Sequence, residues 1–145
     1  MSELLEKARS YEAKKIAATD KESKPLFHIS APAGWINDPN GFSVYNGKIH
    51  LFYQYYPYLR EWGPMHWGHS TTSDMIKWEQ LPCVLAPDEE YDKKGCFSGS
   101  AIEADGKHVL VYTGVTRIKL PDGSEQERQN QCIAFGDGLN YVKHE

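Results

Sequence analysis

The chain has 145 residues, enough for one domain that buries a core of its own. Its composition is that of a soluble globular protein, 40% hydrophobic and, at 12% aromatic, rich in rings that stack on sugars or fill cores. A net charge of −4 gives no reason to expect nucleic acid or an anionic membrane as partner, and no apolar run approaches the length of a membrane span.

Met1 to Lys15 is charged and lacks the apolar centre of a secretory signal. Residues 2–19 read as a helix, with Leu5, Ala8, Tyr11 and Ile16 near helical spacing and many charges between them. The apolar stripe is thin, so the helix is expected on the surface of a larger body, or frayed. Residues 20–25 form a polar linker, which makes 1–25 a helix-and-linker unit and leaves 26–145 as a second region. From Phe27 onward the pattern changes to strands and tight turns.

That second region contains a repeat. Asn46-Gly47 and Asp105-Gly106 are both strong two-residue hairpin signals, 59 positions apart (105 − 46). The same shift brings Lys48 onto Lys107, Leu51 onto Leu110 and Tyr53 onto Tyr112. Ser73-Asp74 before Trp78 has a looser counterpart in Gly136-Asp137 before Tyr141. Strands are expected near 42–45, 48–55, 66–72 and 78–81, then near 100–103, 107–116, 130–135 and 141–143. Four antiparallel strands per repeat of this length suit a β-propeller blade; two unrelated hairpins in a β-sandwich are the alternative. Propellers close with roughly four to eight blades, and this chain supplies two.

The run Trp35-Ile36-Asn37-Asp38-Pro39-Asn40-Gly41 sets one carboxylate among amide side chains. Pro39 fixes its own φ and biases Asp38 toward an extended conformation, while Gly41 relaxes the backbone two residues on. The expectation is a rigid turn that aims Asp38 at something, although Asx-Pro and Asn-Gly pairs also cap ordinary turns.

The run resembles the signature of the β-fructofuranosidases of glycoside hydrolase family 32: invertases, fructanases and sucrose-6-phosphate hydrolases. Three further stretches match that family in order: Phe52-Tyr53-Gln54-Tyr55-Tyr56-Pro57, Trp62-Gly63-Pro64-Met65-His66-Trp67-Gly68-His69-Ser70, and Cys96-Phe97-Ser98-Gly99-Ser100-Ala101. The resemblance implies an all-β fold, a five-bladed β-propeller of which 26–145 would form about the first two blades, preceded by the short helix. It implies that Asp38 is the nucleophile. It also implies substrate-binding roles for Trp35, Asn37, Gln54, Trp62, Phe97 and Ser98. On spacing alone Gln54 reads as a strand-end polar residue, the tryptophans as core, and Ser98 as loop.

Retaining glycosidases need two carboxyl groups about 5–5.5 Å apart. The resembled family takes its acid/base from a Glu-Cys motif and a stabilising aspartate from an Arg-Asp-Pro motif; neither occurs here. The expectation is therefore the N-terminal portion of a longer enzyme, carrying the nucleophile half only. It would release fructose from sucrose, sucrose-6-phosphate or a fructan by double displacement, without metal or organic cofactor. Neighbouring amides such as Asn37 would hold Asp38 ionised. A non-catalytic, carbohydrate-binding or assembling half-propeller is the alternative, with inverting relatives that act on other furanosides a third. The two-blade chain alone is expected to be inactive and prone to self-association.

Other features are read plainly. Cys83, Cys96 and Cys132 lack Cys-x-x-Cys spacing and suit free thiols in a reducing cytoplasm, the expected location. His66 and His69, three apart on a strand, should face opposite sides and form no metal pair. Asp88, Glu89, Glu90 and Asp92 read as a solvated acidic loop. Arg60 lies near Trp62, but one arginine makes no phosphate pocket.

Overall fold

The computed structural model describes residues 1–20, 22 and 24–144; the expected linker and the last residue of the chain fall partly outside these. One helix, α1 (Glu3–Ala18), precedes eight strands: β1 (Trp35–Tyr45), β2 (Lys48–Tyr56), β3 (His66–Thr72), β4 (Glu79–Leu85), β5 (Gly95–Ala104), β6 (Lys107–Lys119), β7 (Glu125–Gly136) and β8 (Tyr141–His144). They form two antiparallel sheets in simple meander order, β1-β2-β3-β4 and β5-β6-β7-β8. Neither sheet closes on itself.

Turn chemistry sets the repeat. Asn46 and Gly47 have φ of 48° and 72°, and Asp105 and Gly106 have 50° and 72°. Two successive residues with positive φ make a turn whose twist matches that of the flanking strands, which is why Asn-Gly and Asp-Gly sit there. The Asp74 carboxylate accepts from the backbone N–H groups of Ile76 and Lys77, and Asp137 does the same for Leu139 and Asn140. Both Asx turns deliver the chain into the last strand of their sheet, as the loose second half of the repeat predicts.

The side-chain faces repeat as well. Tyr53 and Tyr55 face α1 with Leu5, Ala8 and Cys83, while Leu110 and Tyr112 face the first sheet. Phe52, Trp67, Val84 and Leu85 meet them across the inter-sheet core, with Cys96, Ala134 and Tyr141. Three histidines join this interface. His50 Nδ1 and His69 Nε2 are 2.9 Å apart, and His108 lies 2.9 Å from the Ser43 hydroxyl and 2.7 Å from that of Tyr141. On the far face of the second sheet Ile102, Ile133, Phe135 and Val142 remain exposed.

α1 is docked rather than frayed. Ser2 caps it by accepting from Leu5 N–H, with Glu3 and Glu6 in the first turn and Lys15 in the last, each complementing the helix dipole. Its buried side chains are Leu5, Ala8 and Glu12; Ile16, expected in the apolar stripe, is 42% exposed. The reason is the edge of β4. Arg9 donates to the Cys83 carbonyl at 2.7 Å, and Cys83 N–H donates to Glu12 at 3.0 Å. These polar side chains satisfy an otherwise open strand edge, so the buried stripe turns toward Glu12 instead of Ile16. Arg9 also donates to Asn140 Oδ1 and the Leu139 carbonyl, tying α1 to the second sheet.

The acidic loop is not solvated as expected. Asp92 is fully buried; its Oδ1 accepts from Glu89 N–H and its Oδ2 from the Tyr112 hydroxyl and Lys143. Lys143 also donates to Asp88, which takes a hydrogen bond from Ser2. A buried lysine cancels charge that a loop reading leaves to water. Glu90 alone of the run keeps a largely exposed carboxylate, paired with Lys93. All three cysteines are free and buried, and among the described residues no helix is long and apolar enough to cross a membrane.

Candidate active site

The Asn37–Gly41 run forms no separate turn. It lies inside β1, and its irregular residues appear as two breaks in the pairing with β2. Asn37 pairs with Gln54 and Pro39 with Tyr53, so Asp38 is the extra residue of a bulge. A second shift follows between Asn40 and Ser43, where Gly41 takes φ of 58°. β1 is an edge strand, which is where a proline lacking its N–H is tolerated. Bulges re-aim side chains, and this one leaves Asp38 exposed at the sheet edge nearest β5.

The second sheet repeats the device. Phe97 pairs with Thr113 and Gly99 with Tyr112, leaving Ser98 as the extra residue. Sixty positions separate the two bulge residues (98 − 38), one more than the hairpin period. The start of β5 is tied to the residue that precedes β3. Cys96 N–H donates to the Met65 carbonyl at 2.8 Å, and Met65 bridges Gly95 in parallel fashion.

Between the bulges the expected site residues form a connected strip. Trp35 Nε1 donates to Asn37 Oδ1 at 2.7 Å, and Asn37 stands opposite Gln54. Gln54 is buried, and its Nε2 donates to the Cys96 carbonyl at 2.9 Å. Trp67 Nε1 donates to the Phe97 carbonyl at 3.2 Å. The Phe97 ring meets Trp62 edge-on with centroids 6.2 Å apart, and Ser98 follows it. Trp62, 54% exposed, is not a core residue.

One expectation needs correction. Asn37 does not brace the nucleophile candidate: its amide oxygen accepts from Trp35, its amide nitrogen makes no bond to Asp38, and among the described residues no donor reaches the Asp38 carboxylate. The seven residues do not line one common cavity. A cleft of about 520 Å³ beside Asp38 is lined by Asn37 with Phe27, Ile36, Leu51, Tyr53 and Trp78, whereas Trp62, Phe97 and Ser98 lie outside it. Sequence reading missed Cys96 as a carbonyl acceptor and Trp67 as a brace. The signal was present, since both belong to the matched motifs, but a backbone carbonyl carries no side-chain signature.

The histidines of the third motif separate as strand alternation demands. His69 faces His50, while His66 hydrogen-bonds the Pro64 carbonyl at 2.9 Å and packs on Tyr56 and Tyr58. Burial pushes His66 down to about 4, so its ring is neutral near pH 7.

A bulge-borne carboxylate beside amide and aromatic side chains, within repeated four-stranded sheets, is an arrangement suited to carbohydrate chemistry. The chain belongs to glycosyl hydrolase family 32: residues 28–145 match that family's N-terminal domain. It is 48% identical over 120 residues to a sucrose-6-phosphate hydrolase of Escherichia coli, covering 82% of this chain and 25% of the relative. It is 48% identical over 145 residues to a levanase of Bacillus subtilis, covering 97% of this chain and 21% of the relative. Among solved structures, a β-fructofuranosidase of Bombyx mori superposes with a TM-score of 0.83 at 45% identity, covering 97% of this chain and 29% of that one. A sucrose-6-phosphate hydrolase of Lactobacillus gasseri superposes at 0.73 with 34% identity, covering 97% and 27%. The chain thus spans about a quarter of the length of the relatives it matches.

Proposed function

We propose that this chain supplies the nucleophile side of a retaining β-fructofuranosidase. Asp38 attacks the anomeric carbon of a fructosyl unit and forms a covalent ester. A carboxylic acid from outside residues 1–145 protonates the leaving sugar and then activates water. Trp35, Asn37, Gln54, Trp62, Phe97 and Ser98 form the walls and polar contacts around the sugar. The observation that carries this reading is the bulge at Asp38, which leaves a carboxylate exposed and without a protein donor, next to a strip of amides and rings. Sucrose, its 6-phosphate and fructans are the substrate class.

The repeat in side-chain faces supports a propeller that continues beyond these two sheets. The second sheet turns an apolar face outward where the first turns Phe52 inward, and a third sheet stacked there would bury Ile102, Phe135 and Val142. Five blades in all agree with the family. The 145-residue chain by itself then hydrolyses no sucrose and self-associates through that face. A sizing column run beside a sucrose assay checks this, and a stable, active monomer overturns it.

Asp38→Asn in the longer enzyme tests the assignment. An amide cannot form the ester, so kcat falls by several orders of magnitude while the β-rich circular dichroism spectrum is kept. Retention of more than a few per cent of activity in a folded variant excludes Asp38 as nucleophile.

A further inference from the structure

Another cavity, of about 370 Å³, lies between the C-terminal half of α1, residues 24–25 and 30–34, and residues 58–60. Lys15, Lys24 and Arg60 line it, and none of its lining residues is acidic. Among the described residues, none of these three cations is paired with a carboxylate. Lys15 stands 5.4 Å over the Tyr11 ring, and Lys7 stands 5.6 Å over Tyr58, adding positive charge behind the wall. Tyr11 and Thr19 spend their hydroxyl protons on the carbonyls of Tyr58 and Lys15. Ser30, the Tyr58 hydroxyl and the three cations remain as side-chain donors among the lining residues.

Like charges gathered in a concave site without counter-ions repel one another, and an anion relieves that repulsion. The C-terminal carbonyls of α1 oppose an anion weakly, and Lys15 in the last turn offsets them. A phosphomonoester fits this chemistry best. It carries nearly two negative charges at neutral pH and accepts the planar fork of an arginine. None of the proposed sugar-contacting residues lines the cavity, but its lining is close to them along the chain: Arg60 precedes Trp62 by two residues and Gly34 directly precedes Trp35.

We infer that this cavity is an anion subsite for a phosphomonoester, held by Lys15, Lys24 and Arg60. The phosphate arrives either on the sugar occupying the neighbouring strip or as a free phosphate; only the first source rests on the β-fructofuranosidase reading.

Titration of the longer enzyme with inorganic phosphate in a calorimeter tests the site without any catalysis. Saturable binding of one phosphate per chain is expected. Arg60→Ala and Lys15→Ala should each weaken binding about tenfold, the scale of one charge-assisted hydrogen bond, whereas the exposed Lys77→Ala should not. No binding, or equal weakening by Lys77→Ala, overturns the site. In the longer enzyme, Arg60→Ala should lower kcat/KM for sucrose-6-phosphate relative to sucrose about tenfold if the phosphate rides on the substrate. If added inorganic phosphate instead alters sucrose turnover, and Arg60→Ala abolishes that effect, the phosphate is a free ligand. Failure to hydrolyse either sugar would sink the catalytic reading and leave the titration to decide the subsite.

Discussion

Two residues of the proposed sugar strip do different structural work, and their removal should separate accordingly. Gln54 is buried and satisfies the Cys96 carbonyl, so Gln54→Ala leaves a carbonyl unpaired at the junction of β2 and β5. A loss of about 1–3 kcal/mol is expected in denaturant melts, together with a fall in kcat/KM measured well below the melting temperature. Trp62 meets the Phe97 ring edge-on and is more than half exposed. Trp62→Ala should change stability by no more than about 0.5 kcal/mol and raise KM. A large melting shift for Trp62→Ala would make it a core residue. At this scale the sequence was most legible where a side-chain motif carries the family resemblance, as in the run from Trp35 to Gly41. It was least legible where a backbone group does the work, as at the carbonyls of Cys96 and Phe97. The buried Asp92 was misread for a related reason. Its partner Lys143 lies 51 residues away, and nothing local announces it.

Among the elements, the hairpins show how little space has to do with some sequence preferences. A Cβ added at Gly47 or Gly106 would meet nothing within 4 Å, yet both positions have φ of 72°. Gly47→Val and Gly106→Val should each cost about 1–2 kcal/mol in equilibrium unfolding, purely from backbone conformation. Gly47→Asn should cost less, because asparagine visits that region readily. Equal losses for valine and asparagine would point to packing instead. The strands were readable in advance because turn dipeptides, alternation and a repeat all agreed. β1 was not readable in full: its first half looked like a turn, since proline and glycine break strands unless the strand is an edge and bulged. α1 was found, with Leu5 and Ala8 of its buried face, but Glu12 in place of Ile16 was not, because the edge of β4 rather than hydrophobic spacing decides that end.

For the molecule as a whole, the buried histidines, three of them between the sheets, set the response to acid. Burial lowers His50, His66, His69 and His108 below the ordinary imidazole value, His66 and His108 to about 4. Between pH 6.5 and 4 the unfolded chain therefore binds protons that the folded chain refuses, and stability drops as pH falls through that window. Glu12 works the other way. Burial pushes its carboxyl up to about 7, so its contribution declines as pH rises from 4.5 to 7. Four histidines against one glutamate should make urea midpoints fall from pH 6.5 to 4. Glu12→Gln should stabilise the fold at pH 8 but hardly at pH 4.5. A flat midpoint across the acid range would show that the histidines take up protons without opening the interface.

The braces on α1 also order events during synthesis. Ser2 reaches Asp88, and Arg9 reaches Leu139 and Asn140, 130 and 131 residues further on. A ribosome adding roughly 5–20 residues per second leaves the helix waiting on the order of ten seconds for those partners. The element that forms fastest in isolation can dock on β4 early but gains its links to the second sheet last. Nascent chains halted with residues 1–120 outside the tunnel should exchange the Cys83 amide faster than those halted well past Lys143, in which Leu139 and Asn140 hold Arg9 in place.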